Sequence, residues 1–176
     1  MALQTKVNIK QAFGVAGEFY DDSPRRTATY TVGADSTFGT LAFLNSSGNV
    51  GPYVAATYTT LAGVFVRPKE AVLRNGLTAS LTVAANDSVQ VCSMGHVIVK
   101  SVSAITPMSP VYMCTVAGTG FAVGDIATAS QTAGTWKLIN GASFVSATTT
   151  TGDADSSSAT TYFGVIELGA PISIAS

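Results

Sequence analysis

Apolar and β-branched residues alternate along most of this chain in short runs, and no window carries a sustained helical stripe. A pattern of period two calls for sheet with a buried face. In TATYTV, Ala28, Tyr30 and Val32 fall on one side of a strand while Thr27, Thr29 and Thr31 fall on the other. LTASLTV, SVQVC, HVIVKSV, PVYMCTV, TWKLI, ASFVSAT and TYFGVIEL repeat the theme, each rich in β-branched or aromatic residues. Gly, Pro, Asn or Asp stand in most of the gaps, as in NGL, NDS, GTG, VGD and ING, which read as turns. Short strands with turn signals roughly every 8–12 residues predict an all-β protein with a compact β-barrel or sandwich-like body. PKEAVLR is the best helical candidate, with Pro68 at a first-turn position, but it is too short to stand without tertiary support.

Two segments depart from this pattern. Residues 1–26 alternate weakly, with Leu3, Val7, Ile9, Phe13 and Val15 on odd positions, and then pass through GVAG. Gly14 and Gly17 loosen the segment, so it reads as an extended N-terminal arm ending in a turn, with the β-rich domain over 27–176. Extended residues span up to about 3.3–3.6 Å each, which lets such an arm reach a neighbouring molecule. The other segment is Ser146 to Thr161, SATTTTGDADSSSATT, which has almost nothing to bury and reads as an exposed loop between two late strands.

Only 11% of the residues are charged and the formal net charge is −1. No basic stripe offsets phosphates, so no nucleic-acid partner is expected. No membrane partner is expected either: no polybasic run is present, and no apolar run approaches the roughly 20 residues a bilayer demands. MALQTKVNIKQ has no apolar signal region, so the chain reads as a soluble protein made in the cytoplasm. A surface so poor in charge repels its neighbours weakly and suits a protein packed against partners or its own copies.

Chemistry-bearing residues are sparse. His96, the only histidine, lies in the strand-like run SMGHVIVK and reads as structural, on an outer face. Any Ser-His-Asp or Cys-His mechanism would have to use it, and no GxSxG, HExxH or Walker loop is present. Cys92 and Cys114 form no CxxC motif and read as buried thiols. DAD at Asp153 to Asp155 lacks the further oxygen ligands of a calcium loop, so no metal and no cofactor are expected. Trp136 and the scattered tyrosines would serve a carbohydrate-binding β-module, the alternative reading of this chain, although aromatics in an all-β chain are more often core.

Against this background GEFYDDSPRRTATYTV stands out, because Glu18, Asp21, Asp22, Arg25 and Arg26 fall within nine positions around Pro24. One reading is a solvated turn, since Asp21, Asp22, Ser23 and Pro24 are all turn formers. The other is a contact: arginine forks match carboxylates bidentately, and Asp21 and Asp22 offer the reciprocal partners. Composition alone leaves both open.

VNIKQAFGVAGEFYDDSPRRTATYTV resembles the N-terminal signature of tailed-phage structural cement proteins, which decorate the capsid exterior. LAGVFVRPKEAVL is similar to that family's glycine, apolar strand and Pro-Lys-Glu element. LTASLTVAANDSVQVCSMGHVIV is similar to its paired strands around a Met-Gly corner, except that His96 stands where an acid is expected. VGDIATASQTAGTW is similar to its Val-Gly-Asp turn. The resemblance implies a non-enzymatic protein on the outer surface of the virion head, bound to the major capsid protein at subunit junctions. It also implies oligomerisation with its own copies, a trimer being favoured and a dimer open. On that reading Glu18, Asp21, Asp22, Arg25 and Arg26 make the capsid or inter-subunit contact.

Overall fold

The structure, a computed structural model, describes residues 14–67, 82–148 and 162–175. The chain forms β1 (Arg26–Thr31), β2 (Ser36–Thr37), β3 (Leu41–Leu44), β4 (Val50–Gly51), β5 (Thr60–Val66) and β6 (Thr82–Val83). It continues through β7 (Ser88–Ser101), β8 (Pro110–Val116), β9 (Ile126–Ala127), β10 (Thr135–Thr148) and β11 (Tyr162–Ile174). No helix occurs among the described residues, and the chain is all-β. The arm residues 1–13, the PKEAVLR segment and residues 149–161 of the Ser/Thr-rich loop lie outside the described residues.

Nine strands join in one antiparallel sheet, in the order β4-β3-β5-β7-β11-β10-β8-β9 with β1 also on β7. Strands β2 and β6 form a separate pair. The first half of β7 lies between β1 and β5, and its second half pairs with β11. Val97, Ile98 and Val99 are all buried, so the unbroken apolar run reflects a strand covered on both faces. The sheet curls at both ends. Val32, just past β1, meets Val50 in a parallel bridge, and the Val102 amide donates to the Ile126 carbonyl, returning β9 to the end of β7.

The curled sheet encloses Phe43, Phe144, Met113, Ile139 and Ile166, each fully buried, with a smaller group around Phe65, Val32 and Val91. Burial of side chains this size contributes roughly 1.5–3 kcal/mol each. Both cysteines are free and buried, each Sγ donating to the carbonyl two residues on. Burial pushes both thiols up.

Two pairs of runs that read as separate strands in the sequence are continuous, and the ING turn does not form. SVQVC and HVIVKSV are a single 14-residue strand, because Gly95 bends the chain at φ +125° without ending its pairing. TWKLI and ASFVSAT likewise fuse into β10, where Gly141 of ING sits in a bulge against β11.

Candidate functional site

Residues 14–20 are docked, contrary to the looseness expected from Gly14 and Gly17. The Gly17 amide donates to Ile98 O (2.8 Å), Ile98 N to Glu18 O (2.9 Å) and Tyr20 N to His96 O (3.1 Å). Phe19 bridges Val97, so this stretch lies along the edge of β7 opposite β11. Arg67 N donates to Gly17 O at 2.7 Å, tying the same stretch to the end of β5. Gly17 is buried with φ +88°, and a Cβ there would meet Gly39 N and Phe38 Cβ at 2.9 Å. The glycine serves close main-chain passage, and not mobility.

Five charged residues follow or sit in this docked stretch, and each has a distinct environment. Glu18 Oε2 accepts from the Val15 amide at 3.1 Å, a local turn bond. Asp21 accepts from the Ser23 hydroxyl and from the Ser23 amide at 3.1 Å, while its Oδ2 lies 2.7 Å from His96 Nδ1. The Ser23 hydroxyl and then His96 hold the Asp21 carboxyl down at about 2. Asp22 is exposed and has no hydrogen bond or ion pair among the described residues. Arg25 stacks its guanidinium 4.4 Å above the Phe19 ring centroid. Arg26 Nε donates to Ser93 Oγ at 3.1 Å.

The reciprocal pairing of aspartates with arginines inside one chain is therefore not formed. Asp21 turns inward to His96, while Arg25 and Arg26 lie against Phe19 and Ser93 and remain exposed. Tyr20 and Val15 of the same stretch are also exposed. Aromatic and arginine anchors are the residues most often enriched at protein contacts. Arg25 sits at the bend of β7, where a Cβ on Gly95 would meet Arg25 Cβ at 3.0 Å.

His96 is the residue that sequence reasoning left without a role. It stands between Asp21 and Glu167, its register partner on β11. An acid at this position would face the Asp21 carboxylate, whereas the histidine ring nitrogen shares a hydrogen bond with it. The signal was present as the departure from the family pattern after Met94 and Gly95.

The rest of the molecule offers little chemistry. Trp136 is 8% exposed, gives its indole N–H to Ala133 O at 2.9 Å and packs edge-on against Phe121. It is a core residue and no platform for sugar. Among the described residues no three His, Cys, Asp or Glu side chains gather to hold a metal.

A family model described as "Structural cement protein (E217 gp24/Pam3 gp6)" matches residues 3–163. None of the curated proteins matches the chain. Among solved structures, a chain from "The capsid of Myoviridae Phage XM1" is similar with a TM-score of 0.66 at 16% identity. That similarity covers 97% of this chain and 99% of the other, so the two share a fold over their whole extent. The family match includes the docked stretch, the charged cluster and the strands they lean on. This chain belongs to the structural cement protein family.

Proposed function

We propose that this protein decorates the outer surface of an assembled phage head and stabilises it by bridging neighbouring capsid subunits. The family match over residues 3–163 carries the reading. Its mechanism is mass action: many copies bind the assembled shell and not its separated subunits, shifting the equilibrium toward the intact particle. The partners are the major capsid protein and further copies of this chain, met on the virion after synthesis in the host cytoplasm. The role is structural and non-enzymatic.

Residues 1–26 act as an arm whose base is fixed by the main-chain bonds of Gly17, Glu18 and Tyr20. An arm reaching over a neighbour makes the second contact intramolecular and so multiplies the hold. Arg25 and Arg26, beside the exposed carboxylate of Asp22, set register on the partner; charged pairs give specificity more than raw affinity. The carbohydrate alternative finds no support at Trp136, which is buried.

The test is Arg25→Glu with Arg26→Glu, read by co-sedimentation with particles at moderate salt and by circular dichroism. Folding is expected to be kept and binding sharply reduced. Loss of a desolvated charge pair costs roughly 2–5 kcal/mol, against about 0–1 kcal/mol for an exposed charge. Binding equal to that of the unmodified protein would make the cluster a solvated turn and move the contact elsewhere.

A further inference from the structure

Thr106 to Ser109, TPMS, form a tight turn between β7 and β8. Ser109 N donates to Thr106 O at 3.2 Å, and the Ser109 hydroxyl donates to the same carbonyl at 2.6 Å. Pro107 takes the second position, where its ring holds φ at about −65°. Met108 takes the third, at φ +67°. This is the type II arrangement, whose third position calls for glycine or asparagine. Asn86, the other non-glycine residue at positive φ among the described residues, is of that tolerant kind. Met108 is not. Nor does packing offset the strain, because Met108 is 80% exposed, more than any other exposed large hydrophobic residue described. The main chain beneath it is firmly held: Met108 N donates to Phe144 O at 2.6 Å, and Phe144 N donates to Ser109 O at 2.9 Å. Pro110 restricts the backbone of Ser109 from the other side. Folding accounts for the turn and gives no reason for the methionine.

We infer that Met108 is a preset knob that seats in an apolar pocket of a capsid subunit, a contact independent of Arg25 and Arg26. The inference rests on the decoration reading above. An unbranched thioether adapts to an irregular apolar hole. A turn already fixed by its own main-chain bonds avoids the entropy cost of ordering a loop on binding. The surroundings select the partner. No residue between Lys100 and Asp125 is charged, so the knob matches an uncharged socket. The same stretch has no Lys or Arg to reach lipid headgroups, which argues against a bilayer. A second copy is a poor fit as well: among the described residues, the cleft beside Leu44 is walled mainly by Asn45, Ser46, Thr57, Thr59 and Thr60, a polar lining unsuited to a thioether. On an assembled shell the remaining occupant is the capsid subunit.

Binding of the unmodified full-length protein to particles tests the decoration reading; if it fails, this inference falls with it. Where it holds, variants of Met108 test the knob alone. Met108→Gly suits the turn, so its urea midpoint is expected to be equal or higher, while particle binding weakens roughly 10-fold or more. Met108→Leu keeps an apolar side chain and is expected to bind within about 3-fold of the unmodified protein. Peroxide footprinting read by peptide mass spectrometry needs no variant. Met108 is expected to oxidise quickly in the free protein and several-fold more slowly on particles, while fully buried Met113 stays slow in both. Unaltered binding by Met108→Gly, or equal oxidation of Met108 free and bound, overturns the proposal. A glycine variant that loses stability would make the methionine a packing residue and also overturn it. So would protection of Met108 in the free protein, which assigns its cover to residues 1–13 if it ends on their deletion, and to a second copy if it grows with concentration.

Discussion

Asp21 and His96 are 75 positions apart in the chain and 2.7 Å apart in the fold. Alternation along SMGHVIVK indicates which face a side chain takes, but not which loop will cover the strand's edge. That is why His96 was legible as a strand residue and not as Asp21's partner. The pair has a pH signature. Asp21 titrates at about 2 in the fold against 3.8 ordinarily, so its ionised form adds stability that is fully present above the ordinary value and lost as pH falls through about 2. The side chain is 39% exposed, so water screens the contribution to about 0–1 kcal/mol. Asp21→Asn is expected to be less stable than the unmodified protein at mildly acidic pH, with the gap closing toward about pH 2 in denaturant titrations. A gap that stays constant across that range would separate Asp21 from any role in holding the turn.

At the scale of elements, β7 carries the argument. Its two halves were each recognisable from their β-branched residues, and so were β8 and β11. Their fusion was not, because Gly95 reads as punctuation in a sequence while a φ of +125° inside a paired strand gives a bend. The same ambiguity hid the joining of β10 through Gly141. Gly95→Val is expected to cost roughly 1–3 kcal/mol, from the backbone conformation and from the 3.0 Å approach to Arg25 Cβ. Urea denaturation measures it, and an unchanged midpoint would mean the bend has another conformation open to a β-branched residue. Strand β1 shows the converse limit. Its alternation was clear in the sequence, yet Ala28 is exposed, because covering a face needs a facing layer that period two cannot reveal.

For the whole molecule, low charge, absent catalytic motifs and short strands pointed to a structural β-protein, and the family match agrees. The curl was beyond reach of sequence reasoning, since it depends on contacts as remote as Val32 with Val50 and Val102 with Ile126. The proposed division of labour between arm and body has its own test. Deleting Ala2 to Phe13 is expected to leave the melting temperature in place and weaken co-sedimentation with particles. A truncated chain that fails to fold would place those residues in the core and end the arm model.

The docking of residues 17–20 along β7 also decides how the molecule takes a load. A pull applied at Gly14 along the axis of β7 meets the docking bonds side-on. The bonds from Gly17, Glu18 and Tyr20 to β7 cross that axis, and so does the Arg67 bond to Gly17. They are therefore loaded in shear, together, instead of being unzipped one at a time from an end. Such a joint yields only when several bonds fail at once, so under that load residues 17–20 hold to β7 as one unit, like a rivet.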